Sequence, residues 1–527
     1  MKFDLFGIRD YSRKNLSLIC LIGIAVLLLY GPLAFTTNIG IDTEQYVLGL
    51  YGKEWVLGGL GRFGCYYSIM ISNLKFFSPY FNGLVFLLTY SLAIFLWLRL
   101  FSFLYTYNGG DEKKINYAIF IIAFLTNPLW LTQFYFTLQI AAMSIAFLLQ
   151  ALAFLLLFDC LLSDRTKWVR ICEIIVSVLF SFYAIGTYQS FSGLHIVEAG
   201  ACLLLYLDKV SADKDMDEKT KLSNYWRTVL IVVAWFLVSF GLYVIVCKIM
   251  NWGTSNYLTI AWGKQPTGEI IHALLSDYKR ILFGQGEYVG WIMLISVLFI
   301  FGLWVKIMLS DKSVPTKLTY SLLFFGNIIA GIILNIVIGG IPEQRARMPL
   351  FFSVAFLGMY VIERSIRCFA GKKQLVITSS LIVFIAFSIV LQTQRFEIFN
   401  YTMDICNMQQ YQTATDIGHH IDAVTDDPNA TVAVIGKWDA PLNPSCIHDG
   451  VIGQSSFDWG YDQFVPTSAT IRSILYVNAA LGTSYQCDLN ENQQQVAYTA
   501  SQQMPCFPAE GYVKNVDGLI VVKLSEQ

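Results

Sequence analysis

Two carboxylates, Asp42 and Glu44, stand two residues apart just beyond the apolar run Leu16 to Phe35. Trp55 and Arg62 follow in the same stretch, NIGIDTEQYVLGLYGKEWVLGGLGRFG (38–64). In an extended backbone this spacing turns both carboxylates the same way, whereas in a helix it does not. Gly40, just before them, favours an irregular chain. Acidic groups where the chain has just left an apolar run either solvate a loop or build a site. The second cluster is IGGIPEQRARMPLFF (338–352), with Glu343, Arg345 and Arg347 between Pro342 and Pro349. The prolines disfavour helix for the residues before them, and in an extended stretch Arg345 and Arg347 project to one side, suited to gripping a phosphate through planar guanidinium forks. The third is GTYQSF (186–191), where Tyr188 and Gln189 offer a ring, a hydroxyl and an amide, groups that recognise sugars. Each cluster also has a plainer reading: a solvated loop, arginines reaching lipid headgroups, and an aromatic belt.

The elements that must position these residues follow from composition. The 527-residue chain is 55% hydrophobic and 14% charged, with a mean hydropathy of +0.54, too apolar for a soluble globular protein. A net charge of -1 argues against a nucleic-acid partner. Runs long enough to span a bilayer lie near 16–35, 79–106, 115–132, 137–161, 168–187, 190–207, 227–250, 288–309, 317–340, 349–366 and 374–392, about eleven in all. The third and fourth are separated only by a break at Asn127-Pro128. Residues 61–77 read as an interfacial helix, as does the second half of 251–287, which carries Trp252, Trp262, Lys264, Asp277, Lys279 and Arg280. Lys and Arg collect in one set of short loops, among them Arg13, Lys14, Lys113, Arg165, Lys167, Arg364 and Arg367. The other set holds fewer, such as Lys53, Arg62 and Lys75. This bias puts the N-terminus inside and the C-terminus outside.

After Gln392 the chain turns polar. TVAVIG and GLIVVKL read as buried strands and 402–424 as an amphipathic helix, so 393–527 is expected to be an extracytoplasmic soluble α+β domain following a multi-span domain over 1–392. Cys406, Cys446, Cys487 and Cys506 fall in this region and suggest two disulfides, with Cys487–Cys506 the favoured single pair. There is no Gly-Lys-Ser phosphate loop, HExxH or CxxC, and five histidines make a histidine-built metal site improbable.

With IDTE, a following tryptophan and GRFG behind the first span, the chain resembles the type II serotype-converting glucosyltransferases of bacteria, over residues 15–390. The YQS step and the QRARMP turn accompany these motifs. The resemblance implies a GT-C-like, α-helical polytopic membrane protein of the bacterial inner membrane. It also implies an undecaprenyl-type polyprenyl-phosphate sugar as donor and a lipid-linked polysaccharide, the O-antigen of lipopolysaccharide, as acceptor. The family's general base maps to Asp42 or Glu44. On this reading Asp42 is the base and Glu44 orients it or the acceptor. Arg345 and Arg347 hold the donor phosphate with help from Arg62, while Trp55, Tyr188, Gln189 and Glu343 contact substrate. One base and direct displacement invert the anomeric centre. No cofactor is called for; a divalent ion on Asp42 and Glu44 is the weaker alternative. The rival functions are a lipid-linked saccharide flippase, polymerase or transporter, and an anchored binding module. Transport predicts ionisable groups at mid-span, whereas here they gather at one face.

Overall fold

The computed structural model describes residues 7–73, 76–105, 114–213, 215–255 and 260–526. Lys75 and Lys113, both used in the charge argument, lie outside them. The protein is mostly helical with one small sheet. Among the described residues, eight helices are long and apolar enough to cross a membrane. These are Leu16–Ala34, Pro79–Tyr105, Thr137–Leu162, Lys167–Thr187, Ser190–Ala212, Glu218–Ile249, Met348–Cys368 and Gly371–Val424. Three more expected spans are present as shorter helices, at Lys114–Leu125, Ile292–Met308 and Val314–Ala330.

Two of those were expected to be longer, and local chemistry explains the difference. The third span stops at Leu125, because Pro128 has no N–H to continue the ladder. The freed groups find partners: Tyr30 donates to the Leu125 carbonyl at 2.7 Å, and the Asn127 side chain accepts from the Leu129 amide at 3.2 Å. The chain then folds back through a short helix, Leu129–Phe134, buried within the bundle. The span expected over 317–340 breaks after Ala330 and resumes as Ile333–Ile338, which ends at Gly339 in the left-handed conformation. The Trp262 indole lies on that turn and donates to the Ile336 carbonyl at 2.7 Å.

The core is aromatic. Tyr30, Phe86, Tyr90, Phe124, Trp130, Phe134 and Phe147 pack edge-to-face or stacked, with ring centroids such as Phe86–Phe134 at 4.8 Å and Trp130–Phe134 at 5.4 Å. Such contacts add about 0.5–1.5 kcal/mol per pair beyond the burial itself. This cluster fixes the end of the bundle on which the C-terminal region sits.

Gly371–Val424 is one helix of 54 residues that runs unbroken through position 392, where the composition changes. Beyond it, TVAVI forms β1 (Thr431–Ile435). A hairpin follows later, β2 (Val513–Val516) and β3 (Leu519–Lys523), turning at Asp517-Gly518, both with positive φ. The sheet order is β1-β3-β2, β1 parallel and β2 antiparallel to β3, in the register Val432↔Ile520 and Val513↔Val522. Ile417 and Ile421 of the long helix pack into the same core as Val432, Val434, Ile474 and Val477.

The expected disulfides are corrected by the structure, in which all eleven cysteines are free thiols. Cys406 faces the turn at Gly453-Gln454 and donates to both carbonyls, at 3.3 and 3.4 Å, while Cys506 lies beside Glu526 at 3.4 Å. Cys406 and Cys506 are thus engaged by their own surroundings.

Candidate functional site

GRFG positions Arg62 by close packing. A Cβ on Gly64 would come within 2.2 Å of the Thr187 hydroxyl and 2.7 Å of the Tyr183 carbonyl, and one on Gly186 would enter the Phe63 ring. Only glycine allows the Phe63–Ser72 helix this close to the end of Lys167–Thr187. Arg62, immediately before that helix, is thereby held against the Tyr188-Gln189 step. Its guanidinium stacks on Tyr188 at 4.5 Å, and its Nε donates to the Gln189 Oε1 at 3.2 Å. The Gln189 amide donates in turn to the Leu60 carbonyl at 2.6 Å and the Tyr243 hydroxyl at 2.9 Å, which fixes which way it points.

Arg62, Tyr188, Gln189, Glu343 and Arg345 line one cavity of about 410 Å³. Part of its remaining wall is apolar, with Phe240 from Glu218–Ile249 and Leu334, Val337 and Ile338 from the broken helix, and part carries the hydroxyls of Ser190, Ser192, Tyr243 and Ser255. Three distant segments of sequence therefore meet: the first connecting loop, the turn after Lys167–Thr187 and the proline-bracketed turn.

The two arginines of that turn part company. The reading of an extended stretch with Arg345 and Arg347 on one side is corrected, because Gln344–Ala346 is a 3-10 turn. Arg345 reaches the cavity, stacked on Phe136 at 4.7 Å and near Trp459 at 5.7 Å. Arg347 is buried away from it, 3.2 Å from Asp277, with Tyr288 over the guanidinium at 5.2 Å. Asp277 also accepts from Asn335 at 2.9 Å and Tyr288 at 3.1 Å. Asp277 was placed on an interfacial helix; that helix exists, Thr267–Leu282, but this residue faces inward as the buried partner of Arg347. Arg280 pairs with Glu287 at 2.6 Å. Trp55 is largely exposed and does not line the cavity.

Asp42 and Glu44 do converge, by a route other than an extended strand. Asp42 takes a left-handed φ of 69°, which a short acidic side chain tolerates, and Glu44 lies in the first turn of Thr43–Val47. Both carboxylates then meet one guanidinium, that of Arg472: 2.6 Å to Asp42, with a hydrogen bond from its other amino group to Glu44. Arg472 lies 430 residues away in sequence, on Thr470–Leu481. That helix is pinned to β1 by Thr470, whose hydroxyl bonds both the amide and the carbonyl of Val434, at 2.9 and 3.1 Å.

Glu44 is fully buried, and burial pushes its carboxyl up to about 7, with Arg472 opposing and Asp42 adding to the rise. Asp42 stays partly open, its side chain 28% exposed. The pair does not line the cavity. Burial raises the Cys65 thiol to about 12, Arg62 drawing it down and Asp42 raising it. Tyr51 likewise feels both Asp42 and Arg62. The C-terminal region roofs this end of the bundle through Gln344–Asp449 at 2.9 Å and a Tyr135–Gln454 hydrogen bond, with Asp449 held by Arg395 at 2.6 Å.

Arg472, Asp449 and Trp459 were missed from sequence, as was the pairing of Asp277 with Arg347. Arg472 alone carried a signal: it is the only arginine after Arg395, set in an otherwise apolar helix, TIRSILYVNAAL. The expectation that ionisable residues gather at one face is also corrected. Glu198 and His195 are buried within Ser190–Ala212, hydrogen-bonded to Gln150 and Ser181.

Residues 31–362, well over half of the chain, match the family described as Glucosyl transferase GtrII. No curated protein and no solved structure matches it.

Proposed function

The chain belongs to the Glucosyl transferase GtrII family, and from that premise we propose that it moves a hexose, glucose by family, from a polyprenyl-phosphate donor to a lipid-linked polysaccharide. The reaction takes place at the extracytoplasmic face of the bacterial inner membrane. Residues 1–392 make the multi-span domain of GT-C type and 393–527 the extracytoplasmic one, an orientation supported by the Lys and Arg bias of the loops. The observation that carries the reading is the cavity, where two arginines, an amide and a tyrosine from distant segments meet beside apolar side chains. The donor phosphate pairs with Arg62 and Arg345, the hexose meets Tyr188, Gln189 and Glu343, and the isoprenoid lies along Phe240, Leu334 and Val337.

The acceptor hydroxyl oxygen attacks the anomeric carbon, and the bond from that carbon to the phosphate oxygen breaks. Its electron pair leaves with the polyprenyl phosphate, whose charge the arginines meet. The hydroxyl proton passes to Asp42 as the new bond forms, and the anomeric configuration inverts. Arg347, occupied by Asp277, has no part in phosphate binding on this reading.

The test is transfer of labelled sugar from polyprenyl-phosphate glucose to a lipid-linked acceptor by purified, folded protein. Arg345→Ala is expected to lower kcat/KM by roughly 10²-fold, the scale of one lost charge-stabilising donor. No transfer from any polyprenyl-phosphate hexose sinks the proposal. A transport reading would call on Glu198, a carboxylate wholly buried at mid-helix.

A further inference from the structure

Between the cavity and the C-terminal region lies a contact the family match does not cover, since that match ends at 362 and Arg472 lies beyond it. We infer that Arg472 is a positioning residue for hexose transfer: its guanidinium holds Asp42 and Glu44 in register, so the C-terminal region completes the site. The inference rests on the reading of Asp42 as base.

The geometry is asymmetric in a way that suits positioning better than blockade. Arg472 meets Asp42 through Oδ1, and the Asp42 side chain keeps 28% of its surface open. Glu44 is sealed, with one oxygen on Arg472 and the other buried without a hydrogen-bond partner. A latch would close the base and leave the supporting residue free; here the supporting residue is closed. Two carboxylates at this range repel, and a guanidinium with a flat two-pronged face can bind one with each prong. The helix that carries it is tied to β1 at Thr470, so Arg472 reaches the pair from a fixed base.

The groups facing the pair set the expected pH response. Glu44 interacts with Asp42, Arg472 and Tyr476; Asp42 in turn interacts with Arg472, Tyr51 and Cys65. Of these, Arg472 is the cation in direct contact. Without it the pair takes up a proton at higher pH, and a base that must be free of its proton then works only at higher pH.

The test uses the full chain, with polyprenyl-phosphate glucose as donor and a lipid-linked polysaccharide as acceptor. Arg472→Gln is expected to lower kcat at least roughly tenfold, with the donor KM within about twofold, because binding groups are untouched while the base is misplaced. The acidic limb of the kcat profile should move to higher pH. Arg472→Lys, which keeps the charge without the fork, should recover part of the rate. If the single variant does not fold, Glu44→Gln/Arg472→Gln, which leaves no buried carboxylate unpaired, carries the test and should also be slow. A folded Arg472→Gln protein with the wild-type rate and pH profile overturns the inference, as does one faster than wild type, the behaviour of a latch. Asp42→Asn separates the two readings. An inactive Asp42→Asn beside a fully active Arg472→Gln refutes only the role of Arg472. An active Asp42→Asn refutes the base on which both depend.

Discussion

Among the arginines of this protein that meet carboxylates, Arg347 and Arg472 do so in opposite ways. Arg347 and Asp277 form a closed pair, 3% and 1% exposed at their side chains, with Asn335 and Tyr288 filling the remaining hydrogen bonds. Arg472 meets two carboxylates at once and leaves one of them open. In the first case charge is balanced and solvent is excluded, an arrangement that holds chain segments together. In the second, one negative charge is in excess and faces outward, an arrangement that can still accept a proton. Spacing in the sequence pointed to Arg347 and not to Arg472, and only the balance of charge and exposure tells a brace from a site.

That distinction can be broken by mutation. Asp42→Asn should abolish transfer by about 10²–10⁴-fold, the usual worth of a general base, while the melting temperature stays close to wild type; single-turnover transfer and calorimetry measure both. Asp277→Asn should do the reverse. Losing one partner of a buried pair costs about 3–5 kcal/mol, so this variant should melt well below wild type yet transfer normally per folded molecule. Replacing both, as Asp277→Leu/Arg347→Met, should recover much of the lost stability, since no charge is left buried.

A subtler difference concerns pH. Glu44 has its carboxyl raised from 4.5 to about 7 in the folded protein. Between those values the folded chain holds a proton that the unfolded chain has released, so stability falls as pH rises through the window. Glu44→Gln should flatten the melting temperature between pH 4.5 and 7; an unchanged slope would mean that Glu44 is not the group responsible. The smallest effect is expected at Glu198→Gln, which keeps the shape and the neighbouring Gln150: transfer should stay within about threefold of wild type. A large loss there would favour transport.

How much of this could be read from sequence depended on range. Apolar runs marked the helices, and alternating or short apolar stretches marked β1 and β3, because burial follows directly from side-chain type. The break at Asn127-Pro128 was visible, but not the fold-back after it, since Tyr30 and the Phe cluster decide where the freed carbonyl goes. Arg62, Tyr188 and Gln189 were singled out in separate clusters that the topology put on one face, and the cavity does bring those residues together. Local geometry misled where it was inferred from prolines: QRA forms a tight 3-10 turn, so residues two apart diverge. Asp42 and Glu44 converge through a left-handed residue that spacing cannot reveal. Arg472 could not be assigned to them at all, because nothing local connects residues 430 positions apart. Cysteine parity suggested bridges, yet parity carries no information on where each thiol points.

The 54-residue helix from Gly371 to Val424 is a rod of roughly 80 Å, joining the bundle to the sheet without a proline along its length. Its two ends therefore share one phase. A single residue inserted near its middle would turn everything beyond by about 100° and advance it by about 1.5 Å. Such an insertion would carry Arg472 round with the sheet and away from Asp42, although no residue of the cavity had changed. The helix thus acts as a shaft whose angular setting is part of the site, and its tolerance to insertion is counted in whole turns.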